Sequence, residues 1–201
     1  MDTRSQKQGR KDRCSSVGET VIKIKLTDLA ILKVSPGLGS IQLRKALCIA
    51  DAVHNSLHGE SITGSRYIKE KFGPVPDNDG YRCILEMMFS EKIVNDELYS
   101  GFGTENHFYA NMEPEMVFTS SQLDIINFAA ITARNFRATD LSLKTHDDVY
   151  NRTPMREEIP LSEICKPAIV SKYETEPFTN EEIFNAKRFF ESDEARVYGF
   201  V

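Results

Sequence analysis

Residues 40–59 read SIQLRKALCIADAVHNSLHG, and this stretch decides the fold class. Its apolar residues recur at the spacing of an α-helix and form one continuous stripe, made by Leu43, Ala46, Leu47, Ala50, Val53 and Leu57. Ser40 is a good N-cap, and Gly59 is a typical stop because glycine readily takes the left-handed conformation that ends many helices. The stretch therefore predicts an amphipathic helix that buries one side in a core.

The chain after this helix carries signals for a link, a second helix and a hairpin. Residues 62–72 fit either a short helix or an extended segment, and the pattern leaves both open. Gly73–Pro76 is predicted to be extended, because a residue that precedes proline is driven out of the helical region. A second helix then runs to Ser90, and residues 93–99 and 107–112 predict a β-hairpin. Helix, turn, helix and hairpin is the order of elements in a winged helix.

The C-terminal half predicts three further helices. Ser120 or Ser121 caps a long one, and a shorter one begins near Thr139. Thr179 and Glu182 form a capping box in front of an apolar segment. The predicted fold class is mainly α with one small β-hairpin (α+β), compatible with a winged-helix-like helical core and an added C-terminal helix.

Composition divides the chain into three parts. Residues 1–19 are polar and basic and lack periodic apolar positions, which predicts a disordered tail. Residues 20–165 carry the elements of one domain, since 201 residues are too few for two comfortable domains. Residues 166–201 are predicted to be a C-terminal extension with one helix.

The bulk numbers are those of a soluble globular protein, with 40% hydrophobic and 27% charged residues. No apolar run approaches the ~20 residues needed to span a bilayer, and the N-terminus lacks the apolar segment of a signal peptide. We therefore expect a cytoplasmic protein with no membrane partner. A net charge of −5 argues against broad nucleic-acid binding, which needs a surplus of lysine and arginine.

The strong mechanistic motifs for nucleotide binding, zinc proteolysis and serine hydrolysis are absent from the sequence. The four cysteines, Cys14, Cys48, Cys83 and Cys165, contain no CxxC pair and are expected to be free thiols. These absences favour a protein that is not an enzyme and that needs no cofactor.

The best constellation of chemical groups is Asp51, His54 and His58, which share one side of the first helix. Two histidines and a carboxylate could hold a divalent transition metal. The alternative is that Asp51 and His54 are hydrogen-bonded at the edge of the core while His58 faces water. We favour the alternative and predict no metal, because three ligands on one helix leave a site incomplete.

His146 stands in the stretch Thr145-His146-Asp147-Asp148, where a carboxylate could orient it as a general base. The adjacent sequence offers no nucleophile for such a base. A structural histidine that crosslinks the turn is therefore the favoured interpretation.

Two segments together resemble one known family. The first, residues 43–88, contains LRKALCIADAV, the turn GESITG and the link FGPVP before another helix. The second, residues 141–161, reads LSLKTHDDVYNRTPMREEIPL. Their order and separation are similar to the Panacea domain of SocA-like antitoxins, which also occurs in phage- and mobile-element-associated proteins. The resemblance covers residues 29–164.

This resemblance implies a protein-binding module that neutralises a toxin protein by direct contact. One type of member also acts as an adaptor that delivers its toxin to a bacterial protease, so such a protease is a second implied partner. The positions that match the family pattern separate into two groups. Asp51, Thr63 and Gly64 are expected to be structural, and the candidate partner-binding residues are Tyr67, Phe72, Gly73, Pro74, Val75, Pro76, Thr145 and His146.

The candidate interface has an alternative, because aromatic residues serve both in interfaces and in cores. A rigid Gly-Pro-Val-Pro link presents side chains with little ordering cost, and its aromatic neighbours look exposed in the sequence. The alternative is that Tyr67, Phe72 and Pro74 close the core between two helices.

Two rival functions come from other classes of protein. In a winged-helix nucleic-acid binder, Arg66, Lys69 and Lys71 would contact phosphates while Tyr81 and Arg82 lie on a recognition helix. The acidic residues near that helix, Asp77, Asp79 and Glu86, count against this rival. A metal-dependent enzyme is the remote alternative, because it would rest only on the aspartate and histidines of the first helix.

Overall fold

The computed structural model of the chain describes residues 3–77, 81–91, 94–101, 103–114, 118–165, 169–190 and 192. The described helices are α1 (Thr3–Val34), α2 (Ser40–His58), α3 (Tyr81–Ser90), α4 (Ser120–Asn135), α5 (Ala138–Lys144), α6 (Asp148–Arg152), α7 (Ser171–Thr175) and α8 (Asn180–Phe190). The described strands are β1 (Leu38–Gly39), β2 (Tyr67–Glu70), β3 (Gly73–Pro76), β4 (Val94–Gly101), β5 (Gly103–Ala110) and β6 (Glu158–Ile159). The fold is mainly α with small antiparallel sheets, which confirms the predicted class, although the described residues form two hairpins where the sequence predicted one.

Helix α2 lies at the centre of the fold and packs against α1, α4 and β3. Every side chain from Lys45 to His54 is buried, so the helix is covered on all sides rather than along one stripe. Leu57, the last residue of the predicted stripe, is exposed. The predicted stop is confirmed, since Gly59 has φ 77° and donates its N–H to Asn55 O. The N-cap is Gly39, one residue before the predicted Ser40.

A tight hairpin links α2 to α3. Strands β2 and β3 pair antiparallel from Tyr67 opposite Pro76 to Glu70 opposite Gly73, and β6 adds to the free edge of β2. This resolves the choice that the sequence left open for residues 62–72 in favour of extended structure. Residues 73–76 are extended, as predicted, and the link between the two helices supplies two strands of a three-stranded sheet.

The hairpin predicted from residues 93–99 and 107–112 is confirmed in strands β4 and β5, which pair from Val94 opposite Ala110 to Gly101 opposite Gly103. The strands are longer than predicted, since they include Gly101 and Gly103. Strand β1 extends this sheet by pairing with β5, and Gly37 N–H donates to Phe108 O at the same edge.

Two helix starts rest on capping boxes. Thr179 Oγ1 accepts from Glu182 N–H and the Glu182 carboxylate accepts from Thr179 N–H, which confirms the predicted box before α8. At α4 the cap is Thr119, one residue before the predicted serines, and Gln122 closes that box. The glutamine three residues after Thr119 decides the position, because it returns a hydrogen bond to the backbone of the cap.

Helix α1 begins at Thr3, upstream of residue 20, where we predicted the ordered domain to begin. Its helical backbone through residues 3–19 differs from the disordered tail that we expected. The physical reason is that apolar periodicity indicates which side of a segment packs against a core. A segment that lacks this periodicity can still have a helical backbone. The domain boundaries at residues 20 and 165 stay predictions. None of the described helices combines the length and the apolar character that crossing a bilayer requires.

A buried acidic residue ties α1 to α3. Asp28 is fully buried, and its Oδ2 accepts a hydrogen bond of 2.9 Å from Tyr81 Oη. Its Oδ1 has no hydrogen-bond partner among the described residues. Burial raises the pKa of Asp28 well above its usual value, because the charged form loses its hydration.

We therefore expect Asp28→Asn to stabilise the protein by roughly 1 to 2 kcal/mol at pH 8. Between the unfolded and the raised folded pKa the folded chain binds more protons, so wild-type stability falls as pH rises through this window. The advantage of the variant should accordingly shrink as pH falls toward 4. Urea denaturation at several pH values measures the difference, and an advantage that is independent of pH would contradict the assignment to Asp28.

Candidate partner-binding site

The Asp51 carboxylate organises the buried side of the site. Oδ1 accepts from Thr63 N–H at 3.0 Å, and Oδ2 accepts from Thr63 Oγ1 and, at 2.8 Å, from Tyr67 Oη. All three residues are fully buried. Burial raises the pKa of Asp51, and the hydrogen bonds from Thr63 and Tyr67 oppose this rise. Next to Thr63, Gly64 has φ 78°, a conformation that favours glycine. The network fixes the turn before β2 to α2.

The two histidines of α2 make separate hydrogen bonds within the chain and are not arranged to share a metal ion. His54 is buried and donates from Nδ1 to Glu60 O at 2.7 Å, while exposed His58 pairs its Nε2 with Ser121 Oγ at 2.9 Å. Among the described residues no cluster of histidine, cysteine and carboxylate side chains has the arrangement of a metal site. Asp51 and His54 are thus hydrogen-bonded within the chain, with Asp51 inside the core and not at its edge, and the choice of no metal stays a prediction.

Lys45 is a functional candidate that the sequence analysis missed. Its side chain is fully buried, and its Nζ donates to Pro74 O over 3.5 Å. A Cβ atom on Gly73 would collide with Lys45 Nζ and lie 2.7 Å from Thr145 Oγ1. Burial lowers the pKa of Lys45 to about 8. The ammonium therefore lies directly against the backbone of the FGPVP link.

The tip of the β2–β3 hairpin is held by the turn between α5 and α6. Ser142 Oγ donates to Phe72 O at 2.8 Å and lies 3.5 Å from His146 Nε2. The His146 ring stacks on the Tyr150 ring at 4.0 Å with an angle of 4° between planes. Tyr150 Oη donates to Glu70 O at 2.6 Å. These contacts join both matched segments of the sequence into one rigid unit.

We use the name Phe72 face for four side chains carried by the hairpin tip and by the residues that hold it: Lys71, Phe72, Leu143 and His146. Phe72 is 49% exposed and Leu143 is 70% exposed, although both are large and apolar. Lys71 Nζ lies 5.3 Å from the centre of the Phe72 ring. His146 is half-buried beside them.

The structure divides the candidate partner-binding residues between the surface and the core. Phe72 is exposed, and Val75 and His146 are partly exposed. The expectation of an exposed aromatic is wrong for Tyr67, which is fully buried because its hydroxyl binds Asp51. The alternative that these residues close the core holds for Tyr67 and Pro74 and fails for Phe72. The buried candidates are Tyr67, Gly73, Pro74, Pro76 and Thr145.

Basic residues assigned to phosphate contacts in the nucleic-acid alternative are engaged within the chain. Arg66 pairs with Asp77 at 2.9 Å and with Glu158 at 3.4 Å. Lys69 Nζ donates to Asn151 O and, at 2.8 Å, to Thr153 O. Arg82, which that alternative places on the recognition helix, has a side chain outside the described part of the structure. The observed contacts weaken this alternative.

The model of the family described as antitoxin SocA-like, Panacea domain, matches residues 43–149. The matched region spans more than half of the 201 residues and contains the Asp51 network, Lys45 and the Phe72 face. The chain belongs to this family, and its general role is therefore of the antitoxin type. No curated protein and no solved structure matches the chain.

Proposed function

We propose that this chain neutralises a toxin protein by direct contact through the Phe72 face. The observation that carries the proposal is an exposed aromatic side chain at the tip of a hairpin whose backbone is fixed on both sides. Phe72 O accepts from Ser142 Oγ, and Glu70 O accepts from Tyr150 Oη. Family membership supplies the class of partner.

Rigidity makes this tip suitable for tight binding. A side chain on a preorganised backbone loses little conformational freedom when a partner covers it. Aromatic anchors at the centre of an interface commonly contribute about 2 kcal/mol or more. Leu143, which follows Ser142 in α5, is a second exposed apolar side chain, and His146 and Lys71 are the polar members of the face.

Binding, not catalysis, is the proposed activity. Ser142 is a nucleophile type that sequence reasoning did not place beside His146, yet its Oγ lies 3.5 Å from His146 Nε2. The hydroxyl of Ser142 already donates to Phe72 O, so its proton is not available for transfer to the ring. The pair therefore supports a structural role for both residues.

The finer parts of the proposal come from the resemblance alone. They are delivery of the bound toxin to a bacterial protease, action in the cytoplasm, and an origin in a phage or another mobile element. Binding at the Phe72 face is compatible with each of them.

The proposal predicts that Phe72→Ala lowers the affinity for the toxin at least about 30-fold, which corresponds to 2 kcal/mol. The toxin candidate is the product of the gene next to that of this chain. Growth rescue on co-expression and calorimetric titration of the purified proteins measure the effect. The matched control is Phe184→Ala, because Phe184 is a 62% exposed phenylalanine on α8.

The control variant should bind and rescue as wild type does. Equal binding by wild type and Phe72→Ala would show that the interface lies elsewhere. If the wild-type chain neither binds nor neutralises the neighbouring gene product, the antitoxin proposal itself is wrong.

A further inference from the structure

Three lysines lie at or beside the Phe72 face, although the net charge of the chain is −5. Lys71 lies at the surface over the Phe72 ring, and fully buried Lys45 lies beneath, against Pro74 O. Lys69 adds a third cation, with its Nζ 4.5 Å from the centre of the Tyr150 ring. Among the described residues, none of these three lysines forms a salt bridge.

Two carboxylates near this face have partners other than these lysines. Glu70 lies 4.0 Å from Arg156 Nε, and Asp147 Oδ1 accepts from Tyr150 N–H at the start of α6. Within the described residues, the ammonium of Lys45 has its long hydrogen bond to Pro74 O and forms no salt bridge. A buried charge without an opposite charge is costly, so an anion that approaches from outside would find a favourable field.

The pKa of His146 depends on the charges around its ring, which is partly exposed at the Phe72 face. Desolvation lowers the pKa of His146, and Lys45 and Lys69 lower it further. Asp147 acts in the opposite direction and has the smallest effect of the four. Both lysines therefore act more strongly on the pKa of His146 than Asp147 does.

We infer that the Phe72 face binds an acidic segment of its partner, in which a carboxylate lies beside an apolar side chain that covers Phe72 and Leu143. The inference rests on the proposed function, because it names the chemistry of the toxin surface that this face takes. Lys71 pairs with the carboxylate directly. Lys45 attracts it through the protein interior, where the effective dielectric constant is lower than in water.

A protein partner fits this face better than a nucleic acid does. Phe72 and Leu143 at its centre are apolar, whereas a phosphate backbone needs several exposed cations. Lys45 is fully buried and cannot touch a phosphate, and the Nζ of Lys69 is occupied by backbone carbonyl groups. The charge and the apolar anchor together describe an acidic and apolar protein segment.

The first test replaces the buried charge. Lys45→Met keeps a similar side-chain length, and we expect it to melt no lower than wild type while it binds the neighbouring gene product about tenfold more weakly. A residue with only a structural role would not change affinity when stability is retained. The control is Lys172→Gln, because Lys172 is an exposed lysine on α7 and should leave the affinity unchanged.

The second test acts at the surface and does not depend on the core. Lys71→Gln should lower the association rate about tenfold at low salt, with a smaller effect in 0.5 M salt because ions screen an exposed charge. Stopped-flow measurements with the same toxin give the association rate at both salt concentrations. This variant keeps the inference testable even if Lys45→Met fails to fold.

A double-mutant cycle identifies the carboxylate of the partner. Among single Asp→Asn and Glu→Gln variants of the toxin, one should weaken binding to wild type and have much less effect on Lys45→Met or Lys71→Gln. If both lysine variants bind within twofold of wild type while Phe72→Ala loses affinity, the acidic partner is wrong and the proposed function stands. If Phe72→Ala also binds normally, the proposed function fails first.

The remaining outcome concerns nucleic acid. Binding of a random-sequence DNA duplex or RNA to the wild-type chain at 0.15 M salt, if it is lost in the Lys71→Gln variant, would overturn the inference of an acidic protein segment.

Discussion

Asp51→Ala is expected to lower the free energy of unfolding by roughly 4 kcal/mol. The substitution leaves three donors unpaired inside the protein, namely Thr63 N–H, Thr63 Oγ1 and Tyr67 Oη. It also removes the desolvation cost that raises the pKa of Asp51, so the loss is smaller than the sum of three broken hydrogen bonds. Urea denaturation at pH 7 measures the change.

A graded series separates the network from the charge alone. Asp51→Asn keeps one oxygen as a hydrogen-bond acceptor but places an NH₂ group, itself a donor, against the donors of Thr63 and Tyr67. We expect it to lower the free energy of unfolding by roughly half as much as Asp51→Ala does. Asp124→Ala is the control, because Asp124 is an exposed aspartate on α4, and it should change stability by less than about 0.5 kcal/mol. If Asp51→Ala costs no more than this control, Asp51 does not hold the turn before β2.

The sequence predicted the parts of the fold that depend on neighbouring residues. Gly59 ends α2, the two prolines keep residues 73–76 extended, and Thr179 with Glu182 starts α8. Each of these features is decided within a few residues, where propensity and capping act. The pairing of β2 with β6 was not predictable in this way, because Tyr67 pairs with Ile159 far along the chain.

The candidate site was predicted in part, and its errors have a common cause. Phe72 and His146 were identified, and the structure brings their two segments together around Ser142. Tyr67 was named as a candidate partner-binding residue, with core packing as the alternative, because no neighbouring residue in the sequence indicates its buried partner Asp51 on α2. Lys45 was overlooked because lysine is usually exposed, and its burial depends on the close approach of a distant glycine.

The close approach of Gly73 to Lys45 leads to the second large effect. Gly73→Ala is expected to lower the free energy of unfolding by roughly 3 kcal/mol or more. Gly73 has φ 102°, which L-residues rarely adopt, and its new Cβ would collide with Lys45 Nζ and crowd Thr145 Oγ1. Thermal and urea denaturation of the variant measure the loss.

Gly59→Ala separates the two contributions to this loss, which are the backbone strain and the collision with neighbouring side chains. Gly59 has φ 77° but no atom within 4 Å of an added Cβ, so its substitution costs only the backbone term of roughly 1 kcal/mol. The collision should also disappear in part when Lys45 is shortened, so Gly73→Ala should cost less in a Lys45→Ala background than in wild type. Equal costs in both backgrounds, or a Gly73→Ala loss no larger than that of Gly59→Ala, would show that Lys45 does not lie against the link. In that case the structure would no longer support a buried Lys45 charge beneath the Phe72 face.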